Sequence, residues 1–201
     1  SDLTRLGFEI EPDQVFSAIS ATRDYLPSQG SPSVDLLVRD SVKSEFEEFE
    51  QGVDHPDFVV VGDIGAAWDY QLMNRVFNEL MNGARLLAMH KTKYWQTEEG
   101  LCMDIGGFVA GFEYVSGQEA KIMGKPSKPF FELAAKSMDV SPDSVIMVGD
   151  DIENDVGGAQ RSGFSGVLVR TGKFRESALE QSDVAPDAVI DSIADLPGLF
   201  A

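Results

Sequence analysis

Val145-Ile-Met-Val-Gly-Asp-Asp-Ile-Glu-Asn-Asp155 decides the fold class. Four apolar residues run into a glycine and then into a cluster of carboxylates: Asp150, Asp151, Glu153 and Asp155. An unbroken apolar run of this length predicts a strand buried on both faces, as strands of parallel sheets are. Gly149 lets the backbone turn sharply at its end. Asp150 and Asp151 are then expected at the carboxyl end of the strand, where open α/β sheets place their ligands. Carboxylates crowded there are costly unless a cation lies between them, and hard oxygen ligands of this kind suit Mg²⁺. The chemistry predicted is metal-assisted, with phosphate as its target. The plainer alternative is an acidic turn that caps the next helix.

Outward from this stretch, strand and helix alternate. A helix is expected from about Asn154 to Ser162, stopped by Gly163, and then a strand over Gly166–Arg170. On the other side, a helix is expected over Lys128–Ser137. Just before it, Lys125 stands in Ala120-Lys-Ile-Met-Gly-Lys-Pro126, at a strand-to-helix junction. A lysine beside a helix N-terminus opposes the helix dipole, and its placement makes sense if an anion fills the gap. Lys121 and Lys128 read as solvated bystanders. The earlier half repeats the alternation, with strands at Val34–Val38, Phe58–Gly62 and Arg85–Met89 and helices at about Asp69–Met81 and Gly107–Val115. A loop rich in Pro, Gly and Ser, Leu26–Ser33, precedes it, and Ser116-Gly117-Gln118 is the expected return. Pro12–Tyr25 reads as one helix. Asp2–Gly7 reads as the last turn of another, capped by Gly7, as though the front of that domain lay elsewhere.

The chain has 201 residues, 16 basic and 34 acidic, for a net charge of −18. That balance argues against a nucleic-acid binder or an anionic-membrane binder, both of which need a basic surface. It also requires any attraction of phosphate to be local. Cys102 is the single cysteine. It excludes an intramolecular disulfide, fits a reducing compartment and is expected as a small core hydrophobe. No apolar run approaches a membrane span, and no signal-peptide pattern opens the sequence. The expected setting is cytoplasmic.

Gly124-Lys125-Pro126 followed by Val148-Gly-Asp-Asp-Ile-Glu-Asn-Asp155 resembles the third and fourth motifs of the haloacid dehalogenase superfamily. The continuation through Gly166-Val-Leu-Val-Arg-Thr-Gly-Lys173 is similar to its subfamily IIA. That subfamily carries an α/β cap of C2 type between the second and third motifs. The fold the resemblance implies is α/β: a Rossmann-like parallel core, N-terminally incomplete, over residues 1–31 and 117–201, with an inserted cap over 32–116. It implies a phosphatase that works through an aspartyl-phosphate. Lys125 would be catalytic and Asp150 would hold Mg²⁺. Asp151 and Asp155 would orient its surroundings, and His90 and Lys91 in the cap would touch substrate.

The expected partners are a small phosphorylated molecule or phospho-amino acid, and a second copy of the chain through the cap. No nucleic acid and no membrane are expected. The first motif, with its nucleophilic aspartate, and the second do not appear. Gly62-Asp63-Ile64-Gly65 and Asp104-Ile105-Gly106 imitate the first motif but lack its second carboxylate and hydroxyl. Two alternatives stay open. One is an inactive binding protein on this fold. The other is a phospho-acceptor signalling domain, which would place its acidic pair before its lysine rather than after it.

Overall fold

Phe58–Val61 (β3) is fully buried along its length, and the first half of the chain is organised around it. A computed structural model gives the fold for residues 5–97 and 99–200. It divides into two compact units, Ser1–Met123 and Gly124–Ala201. In the first, Ser33–Leu37 (β1), Glu50–Gln51 (β2), β3, Arg85–Ala88 (β4) and Lys121–Ile122 (β7) form one parallel sheet in the order β2-β1-β3-β4-β7. Tyr70–Met81 and Gly106–Ser116 cover one face, packing Val76, Leu80, Val109 and Phe112 onto Leu37, Val59, Val61, Leu86 and Ala88. Trp68 stacks on Phe108 beside them, ring centroids 4.3 Å apart. Phe58 instead receives the edge of Tyr25 and the Arg85 guanidinium.

The expected alternation is present, with local departures. The helix expected over Pro12–Tyr25 is a 3₁₀ turn, Pro12–Gln14, and then an α-helix over Ala18–Tyr25. Ser17 interrupts it, because its hydroxyl accepts from Ser20 N–H and so caps a new start. The short helix end expected at Asp2–Gly7 falls partly outside the described residues. Cys102 is exposed rather than in the core. It lies in a two-stranded antiparallel hairpin, Tyr94–Thr97 (β5) with Gly100–Met103 (β6), which was not expected. No helix among the described residues is long and apolar enough to cross a membrane.

In the second unit Ile146–Gly149 (β8), Ser165–Val169 (β9) and Ala188–Ile190 (β10) form a parallel sheet in the order β10-β9-β8. Lys128–Ser137 packs Phe131 and Ala135 against Ala159 and Phe164 on one face. Val167, Val169 and Ile190 gather Val148 and Leu196. β8 pairs only with β9, so its other edge has no strand beside it among the described residues.

One buried acid makes the first unit sensitive to pH. Arg75 Nη1 donates to Glu79 Oε1 at 2.7 Å and also to Asp35 on β1. Glu79 Oε2 is buried without a hydrogen-bond partner among the described residues. Burial, and then the neighbouring Asp35 charge, raise the Glu79 carboxyl to about 7 against the pull of Arg75. Its folded pKa lies above its unfolded value, so the folded state holds the extra proton between about pH 4.5 and 7. Stability is therefore lost as pH rises through that window. Glu79→Gln cannot ionise. We expect the wild type to lose on the order of 1–3 kcal/mol more than this variant between about pH 5 and 8. Parallel pH slopes of thermal stability in the two proteins would contradict the assignment.

Candidate functional site

The carboxyl end of β8 gathers the expected carboxylates, and each has a different employment. Asp155 is 4% exposed. Its Oδ1 accepts from Lys125 Nζ at 2.6 Å and its Oδ2 from Asp151 N–H at 3.1 Å. It can lie there because residue 149 is glycine, since a Cβ at that position would overlap the Asp155 carboxylate. The anion that accounts for a lysine ahead of a helix N-terminus is thus a side chain thirty residues later. The strand before Lys125, β7, pairs with β4 in the first unit's sheet and not with β8.

The helix expected from Asn154 begins earlier and is wider. Ile152–Gly157 is a π-helical turn, continued by an α-helical turn over Gly158–Arg161. Asp151 carbonyl accepts from both Asp155 N–H and Val156 N–H, at 2.9 and 3.3 Å. That extra residue in the turn swings Asp155 back over Gly149; such π-bulges occur often at functional sites. Asp151 caps the turn, its Oδ1 accepting from Glu153 N–H and Asn154 N–H and its Oδ2 from Asn154 Nδ2 at 2.7 Å. Burial pushes the Asp151 carboxyl up, but the Asn154 and Glu153 donors and the Lys173 charge hold it below its ordinary value. The acidic-cap reading therefore describes Asp151 correctly without excluding a second role.

Asp150 faces the turn after β9. Its Oδ2 accepts from Lys173 N–H at 2.8 Å, and Oδ1 makes no hydrogen bond among the described residues. A cleft of about 130 Å³ opens beside it, lined by Asp150, Asp151, Lys173, Phe174, Arg175 and Leu179 among others. Lys173 and Arg175 were not singled out from the sequence. The signal for them was Thr171-Gly172-Lys173 directly after a strand. With Lys125 they supply local positive charge on a chain of net charge −18. Among the described residues no three His, Cys, Asp or Glu side chains are grouped to enclose a metal ion. The donor set still fits Mg²⁺, which is commonly held through one or two carboxylates with water and phosphate oxygens completing its octahedron.

Lys125, Asp150, Asp151 and Asp155 thus lie together in the second unit. His90 and Lys91 lie in the first, after β4. His90 Nδ1 is buried without a hydrogen bond among the described residues, 3.7 Å from Asp104 Oδ2, and Lys91 Nζ pairs with Glu113 at 2.5 Å. Asp63 is also in the first unit, paired with Arg39 and accepting from Gly65 N–H at 2.8 Å.

The family model described as HAD-hydrolase-like matches residues 122–196. The chain is 38% identical over 200 residues to the phospholysine phosphohistidine inorganic pyrophosphate phosphatase of Rattus norvegicus, covering 98% of this chain and 73% of that protein. It is 36% identical over 190 residues to the haloacid dehalogenase-like hydrolase domain-containing protein 2 of Bos taurus, covering 94% and 72%. Its fold is similar to that of the p-nitrophenyl phosphatase from Archaeoglobus fulgidus, with a TM-score of 0.90 at 24% identity over 98% of this chain and 78% of that one.

Proposed function

The chain belongs to the haloacid dehalogenase-like hydrolase family, and on that premise we propose that its activity is that of a Mg²⁺-dependent phosphohydrolase. The substrate is a small phosphorylated molecule, a phospho-amino acid being one class, and the route is an aspartyl-phosphate. The observation that carries this reading is the Lys125–Asp155 pair locked over Gly149 beside Asp150. Asp150 would hold the ion, with Asp151 and Asp155 fixing the backbone and charges around it. Bound Mg²⁺ would supply charge neutralisation at the phosphoryl oxygens. Lys125, about 40% exposed at its side chain, can address a phosphoryl group while staying paired to Asp155. Lys173 and Arg175 offer further positive charge at the cleft.

The nucleophile is placed outside the described residues. Asp151 and Asp155 are already committed to hydrogen bonds, whereas the open edge of β8 can accept one more parallel strand. A strand added there would stand about 4.8 Å from β8, with its carboxyl end beside Asp150. We assign the cap to residues 32–116, and the core to 1–31 with 117–201. The separate sheets favour two such bodies, while the compact unit Ser1–Met123 takes in residues 1–31 and β7 as well as 32–116. His90 and Lys91 would meet substrate from the cap. A homodimer through the cap is favoured by the exposed Tyr94, Trp95, Leu101 and Met103 of the β5–β6 hairpin. The cytoplasm suits the lone exposed thiol.

The test is hydrolysis of para-nitrophenyl phosphate by the full-length protein. Turnover should need Mg²⁺ and be lost with chelator, while residues 1–201 alone should give none. If the short chain turns over substrate and Asp63→Asn abolishes it, Asp63 is the nucleophile and this reading of the site fails.

A further inference from the structure

The turn after β9 comes closer to Asp150 than any side chain on it would allow. Gly172 has φ +54°, and a Cβ there would overlap Asp150 Oδ2 and lie 3.1 Å from its Cγ. The next residue donates its N–H to the same Oδ2. The approach is built in by the sheet. β8 and β9 run parallel with Gly149 opposite Leu168, so the turns that follow them face each other. Phe174 anchors the β9 turn, its N–H donating to Thr171 carbonyl at 3.0 Å and its ring packing against the Ile152, Val156 and Leu168 cluster. The turn cannot retreat without unseating that ring.

We propose that Gly172 is a positioning residue for cation binding: its missing side chain lets Lys173 N–H hold Asp150 by Oδ2, leaving Oδ1 available to the ion. This rests on the reading of Asp150 as the Mg²⁺ ligand. Any residue but glycine at 172 tilts the carboxylate or pushes the turn away, and either change spoils the pre-set donor.

Calorimetric titration of Mg²⁺ into the full-length protein reads this without turnover. Gly172→Ala and Gly172→Asn should each weaken the Mg²⁺ dissociation constant roughly 10- to 100-fold, the usual effect of losing a contact that orients a ligand. Asn tolerates positive φ better than Ala does, so Gly172→Asn keeps the test in a folded protein if the alanine variant does not fold. Gly163→Ala is the control. Gly163 also has positive φ, +87°, but a Cβ there meets only Pro142, at 3.4 Å. It should lower the melting temperature while leaving the Mg²⁺ dissociation constant within about twofold of wild type. Wild-type Mg²⁺ binding by either Gly172 variant overturns the proposal and leaves the reading of Asp150 standing. Absence of Mg²⁺ binding by the wild type overturns both.

Discussion

Asp150→Asn is expected to cut Mg²⁺ affinity and turnover by about 100-fold or more while leaving the protein folded. The substitution keeps the shape of the side chain and an oxygen for Lys173 N–H, so the turn after β9 has no reason to move. What it removes is a full negative charge from the carboxylate proposed to hold the ion. Loss of a residue that merely orients a ligand costs roughly 10- to 100-fold, and loss of the ligand charge itself should cost at least as much. Asp151→Asn should fall in the lower range. Its oxygens serve Glu153, Asn154 and the turn they begin, and an amide can replace only part of that acceptance. The measurement is turnover against Mg²⁺ concentration for the three proteins, with melting temperature as the folding check. An Asp150→Asn protein with unchanged Mg²⁺ dependence would remove Asp150 from the metal site.

Much of this arrangement was legible because buried parallel strands write themselves as continuous apolar runs. Phe58–Val61 is such a run and is wholly buried. Val145–Val148 reads alike and does form a strand, but Ile146 is 40% exposed and Met147 and Val148 are half-buried, so the expected burial on both faces is not found there. Short strands carry no such signature. β7, with two residues, and β10, with three, are held by their neighbours' backbones rather than by a pattern of their own. The β5–β6 hairpin was missed because exposed Tyr94, Trp95 and Leu101 obey no inside–outside alternation. The role of Asp155 was hidden for a different reason. A regular 3.6-residue period does not predict that Asp155 folds back over Gly149. That contact comes with the π-turn, which Asp151 caps and in which a Cβ at Gly157 would crowd Val184. Lys173 and Arg175 escaped notice because a lysine after a turn glycine is ordinarily a solvated surface residue. Only the adjacency of β9 to β8 makes it a neighbour of Asp150.

Lys125→Met is expected to damage both stability and catalysis, and the two losses can be separated. Methionine retains most of the lysine stem but leaves Asp155, 4% exposed, with Asp151 N–H as its remaining partner. Stripping one member from a fully buried ion pair costs about 3–5 kcal/mol. Lys125 is about 40% exposed at its side chain, so water moderates the penalty and a loss of on the order of 2 kcal/mol is expected. For a protein of this size that lowers the melting temperature by roughly 4–8 °C. Turnover should fall about 100- to 1000-fold if Lys125 also neutralises charge on the reacting phosphoryl group. The double variant Lys125→Met/Asp155→Asn decides between the roles. Neutralising Asp155 removes the stranded charge, so most of the lost stability should return. Activity should not return, because no cation then faces the phosphoryl group from that side. Recovery of turnover together with stability would make Lys125 a structural partner of Asp155 alone and would leave Lys173 and Arg175 as the cations of the cleft.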